Sequence, residues 1–307
     1  MKVDLKFLCL FTMIFSLLCS AGCKKEKEVE KLIDIFEPLV AGQFYPDNAE
    51  SLKNMIDNYF ARTPDIKFSD NLLGFIVPHA GYVYSVPVAS YAFKNIPKGK
   101  YNRVVVVFPS HWAQFRGILA LDKDGYKTPL GTVMIDRESV KKLIQTDTTI
   151  FWKEGIYRKE HSGEVMLPLL IASLGMDFKV IMLMMGDQTP NMARRLAEIL
   201  HLTFGESSDV LYIASTDMSH YHDYDTANAL DAVALNQIMH LDIDTLVEDL
   251  KTGRTELCGY GPTLTLMYLS KMRGGESAKI LKHLNSGDTQ GNKDKVVGYG
   301  AVAFYWK

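Results

Sequence analysis

Three short apolar runs, at residues 73–77, 104–108 and 210–214, each end within a few residues of a histidine. Runs of this length, rich in Val and Ile and bounded by turn residues, fit strands buried on both faces, as in parallel sheets. They are followed by Pro78-His79-Ala80-Gly81-Tyr82, by Pro109-Ser110-His111 and by Ser215-Thr216-Asp217-Met218-Ser219-His220. Open α/β sheets bind ligands beyond the carboxyl ends of their strands. A sheet built from these runs would therefore gather His79, His111, Asp217 and His220 into one cleft.

The rest of the chain supplies the covering layers. Helical spacing of apolar residues predicts helices over 49–62, 86–95, 137–145, 163–174, 192–204, 226–239, 243–250 and 261–271. Asp47 or Asn48 is placed to cap the first, and Pro262 opens the last. Further strands are expected at 178–185, 279–285 and 296–306, and at 117–121 and 131–135, the last two paired around a Gly/Pro turn region. Alternation of strands and helices predicts a single α/β domain with a mostly parallel or mixed central sheet and helices on both faces. No linker-like composition follows residue 35, and no internal repeat is present.

The first residues read as an export signal. Lys2 and Lys6 flank the start, and residues 7–19 form an apolar stretch of 13 residues. That is short of the roughly 20 needed to span a bilayer but fits the core of a secretory signal. Ser20-Ala21-Gly22-Cys23 then resembles a bacterial lipoprotein signal, with Ser20 in place of the usual Leu. This reading makes 1–22 a signal peptide and Cys23 the lipidated first residue of an exported protein. The protein would be anchored by lipid at the outer face of a bacterial membrane. Residues 23–35, with the charged run 24–31, would be a flexible tether and 36–307 the folded domain. Cys9 and Cys19 leave with the signal, so Cys258 is the one internal cysteine and has no disulfide partner. The net charge of −2 and the lack of a basic stripe exclude nucleic acid as a partner.

Imidazole, thiolate and carboxylate together point to a transition-metal site. His79 and His111 are the candidate ligands at strand ends, with Trp112 as a candidate apolar wall. Asp217 and His220, three apart on a tight turn or first helical turn, would share one face. The carboxylate would then fix the histidine's tautomer for general acid/base work. His222 is nearby and accessory. Cys258 precedes Gly259-Tyr260-Gly261-Pro262 at a helix start, which would favour its thiolate. Glu160-His161 and Glu164 lack the second histidine of the zincin pattern and would instead shape the site or its surroundings. His201, His240 and His283 read as structural. No Gly-rich phosphate loop, Cys-x-x-Cys pair or Gly-x-Ser-x-Gly elbow occurs.

These motifs, with Ala41-Gly42-Gln43-Phe44-Tyr45-Pro46, Glu160-His161-Ser162 and Cys258-Gly259, occur in the order of the Memo-like family. Its bacterial members are called AmmeMemoRadiSam system protein B. The resemblance covers about residues 36–307. It implies a fold similar to the class III extradiol ring-cleaving dioxygenases, which use non-haem iron(II). It implies metal ligation at His79, His111 and Cys258, nearby roles for Asp217 and His220, and a place near the cleft for Phe44. Cys258 stands where the dioxygenases carry a carboxylate, and a His/His/Cys set accepts copper or zinc as well as iron. The expectation is a metal-binding protein holding iron or copper, with zinc as a further option. It would be a redox or dioxygenase-like enzyme, a non-catalytic protein binding a small molecule or peptide, or a zinc-dependent hydrolase. Other AmmeMemoRadiSam system proteins are the partners that the resemblance brings into view.

Overall fold

The structure, a computed structural model, describes residues 34–307. The expected signal peptide, the Cys23 lipid site and the charged run 24–31 lie outside the described residues. Among those described, no helix is long and apolar enough to cross a membrane.

The elements follow in this order: β1 (Ile35–Phe36), α1 (Ala49–Arg62), β2 (Leu72–Val77), α2 (Tyr82–Phe93), β3 (Arg103–Pro109), β4 (Ile118–Ala120), β5 (Gly125–Thr128), β6 (Gly131–Ile135), α3 (Arg137–Thr146), β7 (Ile150–Phe151), α4 (Met166–Leu174), β8 (Lys179–Met185), α5 (Pro190–Phe204), β9 (Val210–Ser215), β10 (His220–His222), α6 (Tyr224–Met239), α7 (Ile243–Lys251), α8 (Tyr260–Met272), β11 (Ala278–Asn285), α9 (Ser286–Gln290) and β12 (Val296–Tyr305). The sheet runs β1-β5-β6-β8-β3-β9-β2-β12-β10, with β11 on β12 and β4 bridging β8 and β7. Its centre, β8-β3-β9-β2, is parallel throughout, and β12 closes it antiparallel to β2. The fold is thus the expected single α/β domain with a mixed, mostly parallel sheet.

The central strands have a reason to sit where they do. β2 and β9 are buried along their whole length, and β3 and β8 at all but their first residues. Only strands covered on both faces can carry such continuous apolar sequence. α5 packs on α8, which covers β3 and β9, while α2 packs on β2 and β12. Gly74 on β2 faces the Tyr212 carbonyl of β9 so closely that a Cβ there would collide with it. The helix ends also follow the sequence. The Asn48 side chain accepts from Ser51 N at 3.0 Å, and Asp136 caps α3 by accepting from Ser139 N at 3.2 Å.

Local expectations differ from the structure in three places. Residues 117–121 and 131–135 do not pair. β4 joins β8 and β7, while β6 pairs with β5, a Gly-Tyr-Lys-Thr segment too polar to announce a strand. α2 begins a turn before residue 86, because Tyr82 is buried and Pro87, lacking a donor, is carried inside the helix. Residues 163–165 form a turn ahead of α4, where Gly163 abuts the Phe108 ring.

Candidate metal centre

β3, β9 and β2 are neighbours in the sheet, so the loops leaving their carboxyl ends are adjacent. His79 follows β2, His111 follows β3, and Asp217 follows β9. A fourth loop, between β7 and α4, brings His161 to the same place. Ring nitrogens of His79, His111 and His161 all lie within 4.8 Å of one another. The ring centroids are 4.8–5.3 Å apart. The sequence places His161 only around the candidate ligands; the structure brings its ring in among them.

Hydrogen bonds fix how the His79 and His111 rings point. Ser215 Oγ donates to the Ser162 carbonyl at 2.7 Å, so toward His79 Nδ1, also at 2.7 Å, it can only accept. His79 therefore carries its proton on Nδ1, and Nε2 keeps a lone pair. The buried Glu160 carboxylate takes His111 N at 2.6 Å and sits 3.0 Å from His111 Nδ1. It also accepts from Ser162 N and Ser162 Oγ, and Ser162 Oγ lies 3.0 Å from the Pro109 carbonyl. Ser162 thus joins the supports of two ligand rings. Such outer partners set tautomer and orientation in metal-binding histidines. Burial would raise the Glu160 carboxyl, but the hydrogen bonds and charge of His111 outweigh it and hold it well below the ordinary range. Burial, then neighbouring His79, lowers His161 to about 4, and burial drives His79 well below its usual value. Both rings are neutral near pH 7, the state that binds metal.

Cys258 lies beside this cluster, its Sγ 3.2 Å from His79 Nε2. The segment is seated on the end of β9: Gly259 N donates to Thr216 Oγ1 at 2.9 Å and Asp217 N meets Cys258 Sγ at 3.2 Å. The expected thiolate is not what the surroundings favour. α8 does start at Tyr260, but burial and the Asp217 charge push the thiol well above its usual value, outweighing the backbone N–H groups near it. A metal is the remaining agent that would draw off its proton.

Asp217 and His220 do not form the expected pair on a helical turn. Asp217 sits in the loop after β9, and His220 begins β10. The Asp217 carboxylate accepts His79 N at 2.7 Å and Ala80 N at 3.3 Å, so it fixes the His79 backbone rather than the His220 tautomer. Burial raises its carboxyl. His220 Nδ1 is satisfied by the Met218 carbonyl at 2.7 Å, and the residue lines the cleft. Glu256 receives His220 N at 3.1 Å and pairs with His222 Nε2 at 2.9 Å.

The remaining expected residues divide. Phe44 stacks on His161 with ring centroids 4.3 Å apart. Glu164 is fully buried away from the cleft. It accepts from Leu39 N, Val40 N, Tyr45 Oη and Tyr126 Oη at 2.6–3.0 Å, so it pins the loop that carries Phe44. Trp112 forms no wall: it is 64% exposed, with Lys159 over its ring, because its loop turns outward after His111. His283, read as structural, pairs with buried Asp231 at 2.8 Å. Sequence reading missed Ser215 and Ser162; a hydroxyl at a strand end beside a histidine was the available signal. Above the cluster opens a cleft of about 1100 Å³ lined by Phe44, Tyr84, Tyr221, Leu250, Tyr260 and Tyr299 among others.

The family model for Memo-like proteins matches residues 37–303. The chain belongs to the Memo-like family. A MEMO1 family protein of Ignicoccus hospitalis is 35% identical over 277 residues, covering 87% of this chain and 97% of its own. One from Saccharolobus islandicus is 36% identical over 280 residues, covering 87% and 98%. An uncharacterized protein from Escherichia coli K12, solved by crystallography, shares the fold. Its TM-score is 0.50 at 14% identity, over 75% of this chain and 98% of that one. In this Memo-like protein His79, His111 and His161 form a candidate metal site.

Proposed function

We propose that this Memo-like protein holds one iron or copper ion between His79, His111 and His161, with Cys258 as a fourth donor within reach, and uses it in redox chemistry on a molecule bound in the cleft. The observation that supports this is the convergence of three imidazole nitrogens, with the protons of the His79 and His111 rings fixed elsewhere. Imidazole suits iron, copper and zinc, and a thiol beside it favours the softer ions. When bound, the ion supplies Lewis-acid or one-electron chemistry. The chain's own residues do the rest. Glu160 and Ser215 hold the rings in register, and Asp217 fixes the backbone of the His79 loop. His220, with Nδ1 satisfied by a carbonyl, offers Nε2 to move a proton at the cleft wall. Phe44 keeps water from one face of His161.

A second reading, a zinc-dependent hydrolase, is favoured by the donor set itself: three imidazoles are a common zinc arrangement. Metal analysis of protein purified anaerobically separates the two. The first reading expects iron or copper at about one per chain, lost in His79→Ala; zinc alone would support the second. No bound metal, and none taken up on titration, would overturn both.

We also propose, from Lys2, Lys6, the apolar stretch and Ser20-Ala21-Gly22-Cys23, that the chain is exported and lipid-anchored at Cys23. Cys23→Ser should block processing or release the protein from the membrane fraction; unchanged fractionation would contradict it.

A further inference from the structure

Tyr221 stands out from every other residue of the cleft. Its backbone is left-handed, φ 63°, although it is neither Gly nor Asn. For a bulky side chain this is an outlier. The side chain gains nothing from the core in return, since the residue is 71% exposed. The conformation is imposed from outside. On one side of it His220 pairs with Val297, and on the other His222 pairs with Val296, with the register shifting between them. Glu256 clamps both flanks, accepting His220 N and pairing with His222 Nε2. Strain of this kind persists where the surroundings over-determine it, and it gathers at ligand clamps.

The place of the ring supplies the rest. Tyr221 and exposed Tyr84 line the mouth of the same cleft whose floor holds His79, His111 and His161. Behind them the wall is aliphatic, with Val247, Leu250 and Leu257. The charged groups at the mouth look elsewhere: Glu256 is engaged by His220 and His222, and Lys251 lies 4.0 Å from Glu248 at the surface. Small-molecule sites typically span about 300–1,000 Å³ with mostly apolar walls and few polar groups; this cleft, at about 1100 Å³, lies just above that range.

We infer that Tyr221 is a strained gatepost that selects the ligand of this cleft: an uncharged, apolar organic molecule larger than a single ring, gripped between Tyr221 and Tyr84. This rests on the cleft being the working site of the proposed function, though not on which metal it holds. Stacking on a ring held out by the backbone needs no rearrangement when the ligand arrives, which lowers the cost of binding.

The test uses N-phenyl-1-naphthylamine, a neutral apolar fluorophore, with the purified full-length protein. One probe should bind per chain. Tyr221→Ala should weaken it at least fivefold, and Tyr221→Phe, which keeps the ring, should stay within twofold. Leu202→Ala, which removes an exposed apolar side chain on α5 away from the cleft, should change nothing. Tyr221→Gly should melt higher than wild type while binding the probe less well, because glycine adopts positive φ freely. Equal probe affinity in wild type and Tyr221→Ala, or an equal loss in Leu202→Ala, would overturn the inference. So would a lower melting point for Tyr221→Gly. Metal content is read in the same samples. Loss of metal with the Tyr221 pattern intact would count against the proposed function alone.

Discussion

Ser215 Oγ accepts the Nδ1 proton of His79 across 2.7 Å while giving its own proton to the Ser162 carbonyl. One hydroxyl at the last position of β9 thus decides which nitrogen of a buried imidazole is free. The site is preset: the ring is neutral and oriented, with Nε2 facing the Cys258 thiol, before any metal arrives.

Ser215→Ala removes that decision. The variant should fold, losing about 1–3 kcal/mol for the orphaned Nδ1–H and carbonyl. Its metal affinity should fall roughly 10–100-fold, the range for an outer partner of a ligand. Competition against a chelating dye measures this; unchanged affinity would mean that Ser215 only packs.

Glu164 should matter to folding rather than to metal. Glu164→Ala leaves two tyrosine hydroxyls and two amides without their acceptor, a loss of roughly 3–5 kcal/mol in urea denaturation given the cost of each orphaned group. A loss under about 1 kcal/mol would show that water replaces the carboxylate easily.

Acid sensitivity has an identifiable contributor on β6–α3. Burial raises Asp136, but Ser139 and then Arg103 outweigh it, so its folded carboxyl lies below the usual value. A depressed folded value gives stability that is present above the unfolded value of about 3.9 and lost as pH falls through the folded one. Arg103 is 40% exposed, so the contribution should stay under about 1 kcal/mol. Asp136→Asn keeps a capping side chain, so its deficit against wild type should be present at pH 7 and close as pH falls through the lowered folded value. A deficit that persists at low pH would assign the loss to the cap instead.

The central strands and most helices were legible because burial on both faces writes an unbroken apolar run. So was the gathering of His79 and His111, since strand ends converge by topology. β5 was not, because a segment such as Gly125-Tyr126-Lys127-Thr128 is specified by its partners β1 and β6 and not by its own residues. His161 was named but not placed among the ligands, since it comes from a loop with no preceding strand signal. Cys258 was legible as a site residue through its Gly259 neighbour. That glycine lies against the Ser215 carbonyl, where a Cβ would collide, so the chain can pass close to the end of β9. The state of the Cys258 thiol was not legible, because it depends on burial and on Asp217, which no local pattern reports.

The central claim is that His161 is a metal ligand together with His79 and His111. Titrating metal-stripped protein with iron(II), copper and zinc in turn, for wild type, His161→Ala and His79→Ala, tests it most directly. The account predicts one site per chain in wild type and an affinity at least 100-fold weaker in both variants, with folding intact by circular dichroism. A His161→Ala protein that binds one equivalent as tightly as wild type would contradict it.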